Sequence, residues 1–288
     1  MFSFLPATEN TGLFMAADSS FTEARGVLLG ASLDDTCSFR PGSRFAPSFV
    51  RMVSRSLEEY SIYQKKSLKD LPFYDAGDLV LSPGSTANSL EIISKSVSSL
   101  LHAGKKPFII GGEHTVTLAS VKGCLEHYKE LLVLYFDAHA DMRPSYQGVT
   151  FSHASVAYHL HNLQGITLYQ LGVRSVDEEE LVYIQKERFH AFQVIEPLKN
   201  ILPLLKNIPL YISFDIDVVD PAFAPGVTSP EPGGITSKEI LDIIYLLADY
   251  SRNVVAFDLV EICPPFDPSQ ITILLGAKIL REALLAFL

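Results

Sequence analysis

The chain has 288 residues, enough for one large domain or two ordinary ones, and with 48% hydrophobic and 19% charged residues it can bury a sizeable core, which excludes a disordered polypeptide. Its net charge of −10 argues against nucleic acid as the main partner, because a phosphate backbone wants a basic face; an acidic surface can draw in a cationic substrate or simply aid solubility. Three scattered cysteines (Cys37, Cys124, Cys263) make no disulfide framework or thiolate zinc site and fit a reducing cytoplasm, and neither a signal peptide nor a membrane-spanning apolar stretch is expected.

After a weakly patterned start of about 20 residues, GVLLGAS (26–32) reads as the first strand and PFYDAGDL (72–79) as the next. STANSLEIISKSVSSLLHAG (85–104) opens on a Ser/Thr cap and closes on Gly104, as a helix does. KPFIIGG (106–112), LLVLYFDAH (131–139), ITLYQLGV (166–173), FHAFQV (189–194) and LYISFDID (210–217) are further strands. SKEILDIIYLLADY (237–250) is a helix with Ser237 as its cap, VVAFDLVEI (254–262) a last strand, and PSQITILLGAKILREALLAFL (268–288) a long closing helix. Several strands are apolar almost to their C-terminal ends, as parallel strands covered on both faces are. Strand–helix alternation without a linker or repeat predicts a single domain over residues 1–288, an α/β sandwich with a mostly parallel sheet of about eight strands.

Chemistry collects where those strands end. Asp137, His139 and Asp141 occupy alternate positions, and so do Asp215 and Asp217; if strand geometry persists, each set shares a face. His114 follows a third strand after two glycines. Sites in open α/β sheets form outside the carboxyl ends of strands. Four carboxylates gathered there repel one another and need a positive neutraliser. With two imidazoles and no thiolate, the donor set suits divalent ions that take oxygen and nitrogen, manganese first, and six ligands serve two ions better than one. A single aspartate at a strand end is more often a turn or helix cap; the joint pattern is what points to metal. His102, His127, His159, His161 and His190 read as ordinary surface or core histidines.

GGEHT (111–115), FDAHADMR (136–143), SFDIDVVDPAFAPGVTSPEPGG (213–234) and DLVEICPPFDP (258–268) resemble the signatures of the ureohydrolase family, which includes arginase and agmatinase, and FRPGSRFAPSFVR (39–51) resembles its N-terminal segment. The resemblance runs from about residue 26 to the end. It implies a three-layer α/β/α fold, two Mn2+ ions per subunit and hydrolysis of a guanidino group to urea. It further implies that His114, Asp137, Asp141 and Asp215 hold one ion and Asp137, His139, Asp215 and Asp217 the other. His153 in FSHAS matches the family's histidine beside the reacting centre, and Glu261 matches the acid that grips the guanidinium. SPEPGG (229–234) and YQGVTFSHAS (146–155) resemble agmatinases more than arginases, so agmatine is the expected substrate and urea and putrescine the products.

The implied reaction is attack on the guanidinium carbon by a hydroxide shared between the ions. Glu261 would clamp the substrate, His153 relay a proton to the leaving amine, and Asp141 or Asp217 help hold the tetrahedral intermediate. Glu231 either touches the substrate tail or shapes the Pro–Glu–Pro loop. Glu113 either orients a metal ligand or caps the following helix. Cys263 and Thr228 depart from the residues common among relatives, Asn and Gly. Guanidinobutyrate and arginine are alternative substrates. A one-zinc deacetylase is opposed by the second carboxylate pair, and a non-catalytic metal-binding relative by the presence of all six ligands. The resemblance also implies a homo-oligomer, a trimer or hexamer.

Overall fold

Strands that are apolar on both sides need cover on both sides, and the chain supplies it with helices. The structure, a computed structural model, describes residues 6–9 and 12–288, so part of the weakly patterned start lies outside the described residues. Its strands are β1 (Thr8–Glu9), β2 (Gly26–Ala31), β3 (Tyr60–Ser61), β4 (Lys66–Ser67), β5 (Phe73–Leu79), β6 (Lys106–Gly111), β7 (Leu131–Phe136), β8 (Ile166–Val173), β9 (Phe189–Ala191), β10 (Leu210–Asp215) and β11 (Val254–Val260). The helices are α1 (Ala46–Ser54), α2 (Thr86–His102), α3 (Thr115–Leu125), α4 (Val156–His161), α5 (Ile195–Ile201), α6 (Ser237–Leu247) and α7 (Ile271–Phe287).

Nine strands form one sheet in the order β1-β5-β2-β6-β11-β10-β7-β8-β9, while β3 and β4 make a separate hairpin. Every pairing in the large sheet is parallel except that of β1 with β5. All eight expected strands are present; the ninth, β1, is two residues long, too short for its pattern to be read. Successive side chains alternate between two cores. Leu132, Leu134 and Phe136 of β7 face α1, α5, α6 and α7, whereas Leu131, Val133 and Tyr135 face α2, α3 and α4. The result is three layers, α/β/α.

Local signals set the helix ends. The Ser85 hydroxyl accepts the Asn88 N–H at the start of α2, and Gly104, at φ 70° on the left-handed side, ends its last turn by donating to the Leu101 carbonyl.

 The cap of α6 is Thr236 rather than Ser237: its hydroxyl accepts the Glu239 N–H while the Glu239 carboxylate accepts the Thr236 N–H, a reciprocal box that only the residue one step earlier can close. The closing helix α7 is apolar on nearly every side and is buried accordingly, against α1 and α6.

Register places the site. Ile110, Leu259, Phe214 and Phe136 lie in one row across β6, β11, β10 and β7. The residues that leave these four strands therefore emerge level with one another at the carboxyl edge of the sheet. Among the described residues, no helix is long and apolar enough to cross a membrane.

Candidate metal centre and active-site cavity

Both Asp-rich strands stop earlier than the alternation suggests. Strand β7 ends at Phe136 and β10 at Asp215, so His139, Asp141 and Asp217 lie beyond the strands, His139 in an isolated parallel bridge with Ser175 and Asp217 in a single 3-10 turn. Asp137 Oδ1 accepts the His139 N–H at 2.6 Å, and Asp215 Oδ1 accepts the Asp217 N–H at 2.8 Å. Asp141 is itself in the left-handed region, at φ 50°. Each leading aspartate thus caps its own turn with one oxygen and keeps the other for the cluster. The convergence expected of strand alternation is achieved by tight turns instead.

The ligand atoms of His114, Asp137 and Asp141 lie within 4.8 Å of one another, as do those of Asp137, His139 and Asp217, so Asp137 belongs to both groups. Asp215 joins through His114, whose Nδ1 is 3.0 Å from Asp137 Oδ2, 3.1 Å from Asp215 Oδ2 and 3.8 Å from Asp141 Oδ2. The Tyr135 hydroxyl is also 3.0 Å from that nitrogen. A ring nitrogen carries at most one hydrogen and cannot serve four oxygens. Among the described residues, Asp137 Oδ2 is buried with no hydrogen-bond partner. Surplus oxygens around one nitrogen, with an orphaned carboxylate oxygen among them, fit a cation held by oxygen and nitrogen donors. The remaining nitrogen of His114, Nε2, meets Ser213 Oγ at 3.0 Å, which fixes the ring as a metal ligand's outer partner does.

Protonation reflects the same crowding. Burial opposes ionisation of Asp137, but the imidazoles of His114 and His139 beside it outweigh that and hold its pKa low. Burial and then the charges of neighbouring aspartates drive Asp141 and Asp215 well above the carboxylate range. Burial works against a charged His114, yet Asp137 and Asp215 raise its pKa. Divalent cations would relieve that mutual repulsion.

A cavity of about 350 Å³ opens over the cluster, within the range of small-molecule sites. Glu261 and His153 line it. Glu261 leaves β11 at φ 67°, a strained conformation for a residue with a side chain. Its Oε1 accepts the His114 N–H at 2.6 Å and its Oε2 accepts the Thr228 hydroxyl. Burial pushes this carboxyl up to about 8, opposed by Thr228 and His114. Burial, reinforced by the charge of His139, lowers His153 to about 4, which leaves the imidazole neutral near pH 7.

Other residues take places the sequence did not give them. Asp177, Glu180, Arg143 and Tyr146 form part of the cavity wall. Asp177 and Glu180 are the two ends of a reciprocal cap on the turn after β8, a D-x-x-E spacing visible in the sequence but silent about the cavity. Glu231 is not among the cavity-lining residues; its backbone carbonyl accepts from Arg174 at 2.6 Å, which ties down the Pro–Glu–Pro loop. Outside the site, His102 and His127 both reach the Ser98 carbonyl at 3.0 Å, and His159 reaches the Thr150 carbonyl at 2.7 Å. All three cysteines are free.

Sheet order, edge cavity and donor set define an α/β/α protein with a candidate metal site at the carboxyl ends of its four central strands. A model of the arginase family matches residues 24–286. The agmatinase of Bacillus subtilis (strain 168) is 43% identical over 278 residues, covering 96% of each chain. The agmatine ureohydrolase of Thermoplasma volcanium superposes with a TM-score of 0.86 at 30% identity, over 96% of this chain and 94% of that one. The proclavaminate amidino hydrolase of Streptomyces clavuligerus superposes with a TM-score of 0.83 at 28% identity, over 100% and 99% of the two chains. The chain belongs to the arginase family and is an agmatinase-like ureohydrolase, an enzyme of guanidino compounds.

Proposed function

We propose that this enzyme hydrolyses the guanidino group of agmatine to urea and putrescine. The observation that carries the reading is the distribution of charge in one cavity: buried Glu261 near the ligand cluster, and Asp177 and Glu180 in the wall. Agmatine is a dication, with a guanidinium at one end and an ammonium at the other. Two carboxylates and one guanidinium, that of Arg143, share the Asp177 side of the wall, where Arg143 Nη2 is 3.3 Å from Asp177 and 3.6 Å from Glu180. That side retains a net negative charge, which favours an ammonium tail over the carboxylate tail of guanidinobutyrate. The names of the relatives above, agmatinase and agmatine ureohydrolase, agree with it.

His114, Asp137, Asp141 and Asp215 would hold one divalent ion and Asp137, His139, Asp215 and Asp217 a second, with manganese the best match to an oxygen-rich donor set. When bound, such a pair supplies Lewis-acid polarisation and a water acidified toward a pKa of about 7. Glu261 receives the planar guanidinium through charge-assisted hydrogen bonds and orients its carbon toward the cluster. Neutral His153 takes a proton from the attacking water and returns it to the departing amine nitrogen as the C–N bond breaks, and the water's remaining proton passes to the amine as the urea carbonyl forms. Asp141, at the cavity side of the cluster, helps hold the tetrahedral intermediate. Guanidinium and water thereby become urea and an ammonium, with atoms and charge balanced. The whole chain works as one unit, in a cytoplasmic homo-oligomer.

Urea release by manganese-loaded protein, offered agmatine, arginine and guanidinobutyrate side by side, tests the reading. Agmatine should give the highest kcat/KM. Preference for either of the others would move the assignment to that substrate, and no urea from any would end it.

A further inference from the structure

Glu113 stands one residue before His114 and is fully buried, yet its carboxylate serves neither role the sequence suggested. It accepts no N–H of α3, and its hydrogen bonds do not go to a candidate ligand. Oε2 accepts the Thr36 N–H at 2.6 Å, and Oε1 accepts the Thr36 hydroxyl at 3.0 Å and the Thr115 hydroxyl at 2.5 Å. Both oxygens are thus engaged with the loop after β2. Gly112 makes this approach possible: a Cβ there would lie 1.9 Å from the Leu33 carbonyl oxygen, which accepts the Glu113 N–H at 2.7 Å.

Thr36 then faces His153. Its Oγ1 accepts the His153 N–H at 3.0 Å and lies 3.2 Å from His153 Nδ1. A hydroxyl has one hydrogen, and Thr36 gives it to Glu113 Oε1. Toward the imidazole the same oxygen can only accept, so Nδ1 must carry the ring proton. Ser152 Oγ, 3.3 Å from Nδ1, can accept as well. Nε2 is left with its lone pair on the side of Ser38, whose Oγ is 3.4 Å away, and both Ser38 and His153 line the cavity.

We propose that Thr36, anchored by Glu113, is a positioning residue for His153: it fixes the Nδ1–H tautomer and presents the Nε2 lone pair to the cavity. A second-row partner that selects one tautomer is what lets a neutral imidazole act as base and then as acid through a single nitrogen. Under the functional reading above, on which this role in turnover rests, Nε2 is the nitrogen that takes the proton from water and returns it to the leaving amine. The tautomer itself follows from the hydrogen bonds alone.

The test has two arms. Nitrogen NMR of metal-free protein labelled with 15N-histidine, with the His153 signals assigned from their loss in His153→Asn, should show a protonated Nδ1 and an unprotonated Nε2. Thr36→Val should mix or invert the pair, and Thr36→Ser should restore it. In urea-release kinetics, Thr36→Val should lower kcat by roughly 10- to 100-fold, part of what general acid–base catalysis contributes, with KM little changed, and Thr36→Ser should recover most of it. Glu113→Gln probes the same chain from its far end and should follow Thr36→Val in both arms. A wild-type spectrum with the proton on Nε2, or a Thr36→Val enzyme with unaltered tautomer and kcat, would overturn the proposal. Wild-type protein that releases no urea from any guanidino compound would instead remove the functional reading, while the spectrum still judges the tautomer.

Discussion

Thr228→Val would remove one hydroxyl and almost no volume from the wall of the cavity over the candidate metal site. Thr228 is 3% exposed, lines the cavity and donates the one hydrogen bond that Glu261 Oε2 receives among the described residues. A hydrogen bond to a charged group contributes about 1.5–3 kcal/mol, and leaving a buried acceptor unpartnered costs a similar amount. Burial already pushes the Glu261 carboxyl up to about 8, with Thr228 foremost among the groups opposing it. Losing the hydroxyl should therefore raise it further, by roughly one to two pH units. If, as proposed, an ionised Glu261 receives the guanidinium, kcat/KM for agmatine should fall roughly 10- to 100-fold on the acid limb of the pH profile and recover as pH rises. Thr228→Ser keeps the hydroxyl and should keep the limb where it is. The assay is urea release across pH about 6 to about 10 for wild type and both variants. An unmoved limb in Thr228→Val, or a serine variant as impaired as the valine one, would refute the link between this hydroxyl and the clamp.

Asp137→Asn keeps Oδ1 as acceptor for the His139 N–H but removes the charge shared by both ligand groups, so metal content after dialysis should drop from about two ions per chain to less than one. Two ions retained, by elemental analysis, would contradict a bridging Asp137. Glu261→Gln should abolish urea release yet stabilise the metal-free fold at alkaline pH. The sign follows from the raised carboxyl: between the unfolded value of 4.5 and about 8 the folded state holds a proton that the unfolded state has released, so native stability falls as pH rises through that window. Glutamine carries no such cost. Metal-free Glu261→Gln should melt a few degrees above metal-free wild type at pH about 8.5 and close to it at pH about 4; equal melting at both would deny that burial of Glu261 is costly.

The sequence made the eight main strands legible because each is a short, nearly continuous apolar run between turn signals, and that pattern survives without knowledge of its neighbours. It also made the donors legible, though for an incomplete reason. Alternation along a strand groups Asp137 with His139 and Asp141, whereas the strand in fact stops at Phe136 and an aspartate-capped turn does the grouping. Turn cap and candidate ligand are the same aspartate using different oxygens, so the bland and the chemical readings of Asp137 and Asp215 are not exclusive. Thr36, Thr228, Asp177 and Glu180 were hidden because their chemistry depends on partners more than 25 residues away or on the cavity itself. Thr36 meets Glu113 across 77 positions and His153 across 117, and Thr228 meets Glu261 across 33.

What links the two kinds of residue is register. The level row of Ile110, Leu259, Phe214 and Phe136 means that four motifs, each readable alone, leave the sheet at one height. The isolated bridge between Val227 and Ile262 then sets Thr228 beside Glu261. A slip of one residue in β10 against β7 would turn its side chains to the opposite faces, sending Asp215 away from His114 and Phe214 out of its core. The apolar alternation of β10, with Leu210, Ile212 and Phe214 in one core and Tyr211 in the other, makes that slip costly. Burial of those side chains contributes about 1.5–3 kcal/mol each, so the same residues that form the core also hold the ligand cluster in line.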